Sequence, residues 1–164
     1  ANPMANNVSN VINDDIILVK LKQDFIRNKC DGTLMPFLKC LRDSKIIVPM
    51  TMDMSEADLA KMESAADGES IELTDEVKLR PEILAGGDKK FFPVFTMEKY
   101  IPADFADSHS LMTMPMVAAL NMAHRIDGLN GIVIDAFTHS VGLPFALADR
   151  IYMLGDMDKA DKEE

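Results

Sequence analysis

Residues 82–96, Glu-Ile-Leu-Ala-Gly-Gly-Asp-Lys-Lys-Phe-Phe-Pro-Val-Phe-Thr, hold the clearest fold signal in the chain. Two apolar runs flank Gly86-Gly87-Asp88, and a short glycine-containing loop between such runs is typical of a β-hairpin. We expect a strand from Glu82 to Ala85 and another from Lys90 to Thr96. Thr96 or the next residue then begins a short helix that ends at Tyr100.

On the N-terminal side of this hairpin the sequence predicts two helices. The first begins near Asn13 or Asp14, and apolar residues then recur at helical spacing as far as Phe25. Asp31-Gly32 is interpreted as its stop signal, because glycine tolerates the left-handed conformation that ends helices. Thr33 is expected to cap the second helix and to place Pro36 in the first turn, where a missing N–H does no harm.

Further along, short apolar strands alternate with helices. The expected strands are 45–50, 110–115 and 131–136; the expected helices are 117–126, ended by Asp127-Gly128, and 145–154. The pattern predicts an α+β (mixed α/β) single domain. Its architecture would be one mixed sheet of about five or six strands, packed with helices that include the two at the N-terminus.

Acidic residues are concentrated in two places. The chain has 164 residues and a formal net charge of −10, and residues 51–88 alone hold eleven acidic and three basic side chains. We therefore expect a flexible N-terminus (1–13), a domain (14–155) with an acidic insert at 51–80, and an acidic tail (156–164). Within the insert, Ser55 is expected to start a short helix that ends at Met62, and 70–73 a short strand.

The charge excludes several classes of partner. Nucleic-acid binders and proteins that dock on anionic lipid carry a basic surface, so neither class is expected. The longest nearly uninterrupted apolar stretch, residues 114–123, is about half of what spans a bilayer, and no signal peptide is recognised. Cys30 and Cys40 have neither metal-binding nor redox spacing. A cytoplasmic protein without a cofactor is the expectation.

Three segments in order resemble the N-terminal domain of the bacterial enhanced serine sensitivity (SseB) family. They are 36–49 (PFLKCLRDSKIIVP), 91–98 (FFPVFTME) and 128–135 (GLNGIVID), the last followed by 140–144 (SVGLP). The resemblance covers roughly residues 15–154, and 91–98 is its most distinctive part. It implies a non-enzymatic protein-interaction or regulatory module of the bacterial cytoplasm, because no established reaction goes with this domain.

The loop 135–142 is the best candidate site. It leaves the carboxyl end of a buried strand, where folds of sheet and helix place ligands, and it combines a carboxylate, an imidazole, two hydroxyls and a glycine. The candidate residues here are Asp135, Thr138, His139, Ser140 and Gly142. For a binding surface that takes another protein, or a second copy of this chain, Phe92 and Phe95 of the hairpin strand are added.

Two other functions of this loop stay open. One is a small-metabolite sensor, its ligand an amino acid in the simplest case, with a pocket at 135–142. The other is a hydrolase that uses His139 with Asp135, although Ser140 lacks the nucleophile-elbow pattern and the side chains of adjacent residues diverge.

Metal binding has only weak candidates. Asp104, Asp107 and His109 lie within six residues of each other, but zinc motifs are far more demanding than this spacing. His124 is interpreted as a cation that offsets a helix dipole. The thirteen methionines are interpreted mainly as core residues, with a methionine-lined partner groove as the alternative and soft-metal binding as a further one.

Overall fold

The computed structural model describes residues 16–53, 56–65 and 78–154. The flexible N-terminus at 1–13, the start of the first helix, the strand at 70–73 and the acidic tail at 156–164 are predictions that lie outside the described residues.

The described residues form seven strands, and their order along the chain is as follows: β1 (Lys45–Asp53), β2 (Lys78–Pro81), β3 (Leu84–Gly86), β4 (Lys89–Val94), β5 (Ser110–Pro115), β6 (Gly131–Ile134) and β7 (Val141–Pro144). The helices lie between and before them: α1 (described over 16–27), α2 (Asp31–Arg42), α3 (Glu56–Ser64), a 3-10 turn (Glu98–Tyr100), α4 (Ala103–Asp107), α5 (Met116–His124), α6 (Phe145–Ala148) and a last helical segment at 150–154.

The α+β single domain predicted from the sequence is confirmed, but its strands form two sheets rather than one. The first has the order β2-β1-β5 and the second the order β3-β4-β6-β7. The two sheets meet at Phe95, which follows β4 of the second sheet and pairs with Ile47 of β1 in the first. Its N–H and C=O bond to the C=O and N–H of Ile47, each at 2.9 Å, and this bridge joins the two sheets.

The hairpin predicted at 82–96 is present and shorter than expected. β3 and β4 pair in antiparallel fashion, with Leu84 opposite Phe91 and Gly86 opposite Lys89. Gly87 has a φ of +64°, which a residue without a Cβ adopts at little cost. β4 then pairs with β6 in parallel fashion, so the carboxyl ends of these two strands lie side by side.

The boundary between the first two helices was wrong in the sequence prediction. α1 ends at residue 27, whereas Asp31 and Gly32 lie inside α2. Cys30 is the N-cap of α2, and its backbone N–H donates to Oγ1 of Thr33, 3.4 Å away. Thr33 therefore caps the helix from within its first turn, and it is not the residue that precedes the helix.

Other boundaries also moved. The strand predicted at 45–50 extends into the acidic insert as far as Asp53, and α3 occupies Glu56–Ser64 where a helix from Ser55 to Met62 was expected. The strand predicted at 131–136 ends at Ile134. The segment around Gly142, expected to be a loop, is strand β7, and the helix predicted at 145–154 is interrupted at Asp149.

The core lies between the helices and the inner faces of both sheets. Its fully buried members include Phe37, Leu38 and Leu41 of α2, Ile46 and Val48 of β1, Phe92 and Val94 of β4, Leu120 of α5, and Ile132 and Ile134 of β6. Burying one such side chain stabilises the fold by about 1.5–3 kcal/mol. In the described ranges, no helix has the length and apolar character needed to cross a bilayer.

Candidate functional site

Asp135 lies directly after β6, at the carboxyl ends of the parallel strands β4 and β6. Its backbone N–H donates to the carbonyl oxygen of Val94 at 2.9 Å, and its φ of +53° turns the chain away from the sheet. The carboxylate is fully buried. Oδ1 accepts the backbone N–H of Thr96 at 2.8 Å, and Oδ2 accepts the Thr96 hydroxyl at 2.6 Å.

The charge of this carboxylate is balanced by a lysine from the first helix. Nζ of Lys22 lies 2.6 Å from Oδ2 of Asp135, and the Lys22 side chain is 1% exposed. The ammonium group also lies 5.2 Å from the centre of the Tyr100 ring, within the range of a cation–π interaction. The pair therefore joins α1 to the sheet inside the protein.

This enclosure corrects the prediction that Asp135 binds a ligand. Both carboxylate oxygens already bond to Thr96 or Lys22, and no part of the side chain reaches solvent. His139 is exposed, so it does not share the environment of Asp135. The structure thus does not bring together the His139 and Asp135 pair that the hydrolase hypothesis used.

Phe92 and Phe95 also lie in the core rather than on a binding surface. Both side chains are 0% exposed: Phe92 belongs to the main core cluster, and Phe95 packs against Phe105 and Phe137. Phe137, by contrast, is 49% exposed. Its ring stacks on Phe95 at 6.0 Å between centroids and meets Phe105 edge-on at 5.1 Å.

Thr138 and His139 form the turn that follows. The N–H of Thr138 donates to the carbonyl oxygen of Asp135 at 3.1 Å, and Thr138 is half-buried. His139 has a φ of +47°, a strained value for a residue with a side chain. Asp135 and His139, both with left-handed backbone conformations, therefore flank this turn and direct the chain from β6 into β7.

Ser140 and Gly142 line an open cleft of about 350 Å³. It lies between the α1–α2 corner and strand β7, and its lining falls into an apolar group (Phe25, Ile26, Leu34, Val141 and Leu147) and a polar or small group (Lys29, Cys30, Asp31, Ser140 and Gly142). Of the predicted site residues, these two are the ones that the structure places at the cleft.

The charges at the cleft are unequal. Asp31 is paired with Arg150, whose Nη1 lies 3.1 Å from Oδ1 of Asp31. Lys29 is exposed and has no ion-pair partner among the described residues. The cleft therefore presents one uncompensated positive charge, although the chain as a whole is acidic.

Cys30 places an exposed thiol at the same cleft. The hydrogen bond with the Thr33 hydroxyl lowers the pKa of this thiol, and the backbone N–H groups of Thr33 and Gly32 act in the same direction. The Cys30 thiol is therefore an accessible side chain of lowered pKa in the lining of the cleft. The Cys40 side chain is half-buried.

The weak metal candidates are not assembled into a site. Nε2 of His109 lies 2.7 Å from Oε2 of Glu82, and its Nδ1 lies 2.8 Å from the carbonyl oxygen of Phe105. Asp104 accepts the N–H of Phe105, and Asp107 is exposed. Over the ranges that the structure describes, no three His, Cys, Asp or Glu side chains are close enough to hold a metal ion.

His109 and Glu82 connect the loop before β3 to helix α4. Partial burial raises the pKa of Glu82, but the hydrogen bond from His109 and that from the Ile83 N–H outweigh it, so the pKa is lowered overall.

His124, predicted to offset a helix dipole, lies in the last turn of α5. Its Nε2 is 2.6 Å from Oδ1 of Asp149.

Sequence reasoning missed Lys22, Lys29 and Cys30. A signal for Lys22 was present: it lies four residues after Leu18 and three before Phe25, on the apolar stripe of α1. A lysine on such a stripe implies a buried partner. No comparable signal marks Lys29 or Cys30, because the cleft is built from segments more than a hundred residues apart.

Comparison of the chain with protein-family models, with curated proteins and with solved structures found no match.

Proposed function

We propose that this protein is a non-enzymatic protein-interaction module of the SseB type that works in the bacterial cytoplasm and binds a segment of a partner protein in the cleft beside β7. The observation that carries the proposal is the cleft itself. Its lining combines apolar side chains from three helices and a strand with polar side chains and the backbone of Gly142.

A protein segment suits this cleft for two reasons. The apolar part of the lining, which includes Phe25, Leu34 and Val141, can take an aliphatic or aromatic side chain. The cleft is open to solvent, so the chain on both sides of that side chain can continue over the surface. The SseB resemblance points to the same kind of function.

The experiment is a selection of displayed random 12-residue peptides on the wild-type protein, followed by fluorescence anisotropy with the enriched sequences. Ser140→Trp places a large side chain at the cleft. Ala85→Trp places the same side chain on β3, the opposite edge of the same sheet. We expect Ser140→Trp to weaken binding at least tenfold and Ala85→Trp to leave it unchanged.

Two results would contradict this function. One is a selection that enriches no peptide over background, and the other is equal binding by wild type and the Ser140→Trp variant. Thermal melts of both variants show whether each is folded, so that a lost interaction is not mistaken for a lost fold.

A small-metabolite sensor is the second candidate, favoured by the cleft volume. About 350 Å³ lies within the range of small-molecule sites, and Lys29 and Ser140 supply polar groups to the lining. A thermal-shift screen against amino acids, nucleotides and divalent or soft metals tests it. A ligand at about a hundred times its Kd stabilises by roughly 2.7 kcal/mol. A shift that Ser140→Trp removes would favour the sensor over the peptide-binding module.

A further inference from the structure

Hydrogen-bond directions alternate along the strands of the second sheet, and this alternation determines which backbone groups of β7 face outward. In an antiparallel pair, hydrogen-bonded and non-hydrogen-bonded residue pairs alternate. The N–H of Phe145 donates to the carbonyl oxygen of Asn130, one register step beyond the pairing of Gly131 with Pro144. The backbone N–H and C=O groups of Leu143 and Val141 therefore bond to β6. The N–H and C=O of Gly142 and the C=O of Pro144 point away from β6.

The parallel side of the sheet leads to the same assignment. Asp135 donates its N–H to Val94, so the odd-numbered residues of β6 bond to β4. The even-numbered residues, Ile132 and Ile134, bond to β7, and their partners are Leu143 and Val141. Gly142 lies opposite Val133, in a non-hydrogen-bonded pair.

The outward groups of β7 are thus the N–H and C=O of Gly142 and the C=O of Pro144. Within the described part of the chain, β6 is the one strand that pairs with β7, so β7 is an edge. Gly142 is exposed and lines the cleft, so its free N–H and C=O open into it. Pro144 has no N–H to lose at an edge, which is where strands tolerate proline.

We infer that the partner segment binds as an added β-strand on β7, pairing its backbone with Gly142. This inference rests on the proposed function and specifies its geometry. In strand addition, main-chain hydrogen bonds hold an extended segment to a sheet edge, and pockets accept alternate side chains. Here the cleft accepts one apolar side chain, while the residue that pairs with Gly142 exchanges both of its backbone hydrogen bonds with it.

The charge of the cleft specifies the occupant further. Lys29 is unpaired among the described residues and Asp31 is neutralised by Arg150, so a carboxylate next to the apolar anchor is attracted and a second cation is not. The occupant is therefore an extended segment of a partner protein that combines an apolar anchor with an acidic residue. A second copy of this chain is the competing occupant.

Amide hydrogen exchange, measured by NMR on the ¹⁵N-labelled full chain, tests the inference. The probe is the tightest-binding peptide from the selection described above. In the free protein the Gly142 amide should exchange much faster than those of Val141 and Leu143, which are bonded to β6. Saturating peptide should slow exchange at Gly142 at least tenfold and change the two internal controls little.

A second measurement leaves the protein unaltered. Single N-methyl groups placed along the peptide should abolish binding at alternate positions, because every second peptide N–H points toward β7. Loss of binding with this period of two supports strand addition.

The outcomes separate the two levels of the proposal. A peptide that Ser140→Trp excludes, but that leaves the exchange of Gly142 unchanged, overturns strand addition and leaves the interaction module intact. Failure to enrich any peptide overturns both. Protection of Gly142 that rises with the concentration of the protein alone assigns the edge to a second copy and overturns the partner segment.

Discussion

Nζ of Lys22 lies 2.6 Å from Oδ2 of Asp135, with both side chains withdrawn from solvent. The two residues are 113 positions apart in the chain. Their contact brings α1 against the carboxyl ends of β4 and β6, so it positions the α1–α2 corner that forms one wall of the cleft. The shape of the candidate site therefore depends on a charge pair that does not itself line the cleft.

Lys22→Met should destabilise the protein by about 3–5 kcal/mol, because it leaves the Asp135 carboxylate buried without a counter-charge. Lys20→Met is the matched control, since Lys20 is 74% exposed and pairs with Asp24 on its own helix. Its loss should cost less than about 0.5 kcal/mol. Urea unfolding of both variants measures the difference.

The double variant Lys22→Met, Asp135→Asn should recover part of that loss. Asparagine is neutral, still accepts the Thr96 N–H and tolerates a positive φ. A double-mutant cycle then yields the coupling free energy of the pair. Equal stability of Lys22→Met and wild type would mean that the ion pair contributes nothing.

Phe92 and Phe137 should respond very differently to truncation. Phe92→Ala creates a cavity in the core, where Phe92 is fully buried, and should cost about 3–5 kcal/mol. Phe137 is half-exposed, so Phe137→Ala should cost far less. Thermal unfolding of the two variants compares them. Similar losses would contradict the assignment of Phe92 to the core and Phe137 to the surface.

Glu82 should make stability depend on pH in the acidic range. Its pKa in the folded state is lowered from the ordinary value of 4.5, so folding favours the charged form. The stabilisation is present above pH 4.5 and is lost as the pH falls through the folded-state pKa. The stability difference between wild type and Glu82→Gln should therefore shrink on acidification. A difference that stays constant from pH 7 to 3 would contradict the shift.

His139→Gly should stabilise the protein by up to about 1 kcal/mol. The φ of +47° at this position costs a side-chain-bearing residue about 1–2 kcal/mol, which exceeds the entropic cost of glycine, about 0.5–1 kcal/mol. Ser140→Gly is the control, because Ser140 has no positive φ and should lose stability instead. A lower melting temperature for His139→Gly would indicate that the imidazole makes a stabilising contact.

Lys29→Glu should weaken the selected peptides about three- to tenfold, because it replaces the free positive charge of the cleft with a negative one. Lys89→Glu makes the same change on β4 at the far side of the sheet and should leave binding unaltered. Anisotropy titrations at two salt concentrations compare the variants, and the effect should diminish at high salt. Equal losses in both variants would point to the net charge of the protein rather than to the cleft.

Local patterns in the sequence were sufficient for the α+β class and for most of the elements. The Gly86-Gly87-Asp88 signal located the hairpin, the strand at 110–115 was predicted with its observed bounds, and Gly128, with a φ of +87°, follows α5 as expected. These features depend on hydrophobic periodicity and turn chemistry within a few residues, which a single sequence contains.

The candidate site was only partly predictable. The loop after β6 was identified because it follows an apolar strand, and Ser140 and Gly142 do line a cleft. Asp135 was assigned to ligand binding because a carboxylate at a strand end is a common site residue. Nothing near it in the sequence indicates that Lys22 neutralises it and removes it from solvent.

The sequence by itself determined most of the segments that become helices and strands, since these follow from the spacing of apolar residues and from glycine-containing turns. Only the tertiary structure decided that Phe95 connects two sheets, that Gly142 belongs to an edge strand, and that the α1–α2 corner faces it across a cleft. The physical reason is that strand pairing and burial depend on contacts between distant segments. The alternation of apolar and polar residues along one strand does not determine which strand pairs with its edges. Nor does it determine whether a helix or solvent covers each of its faces.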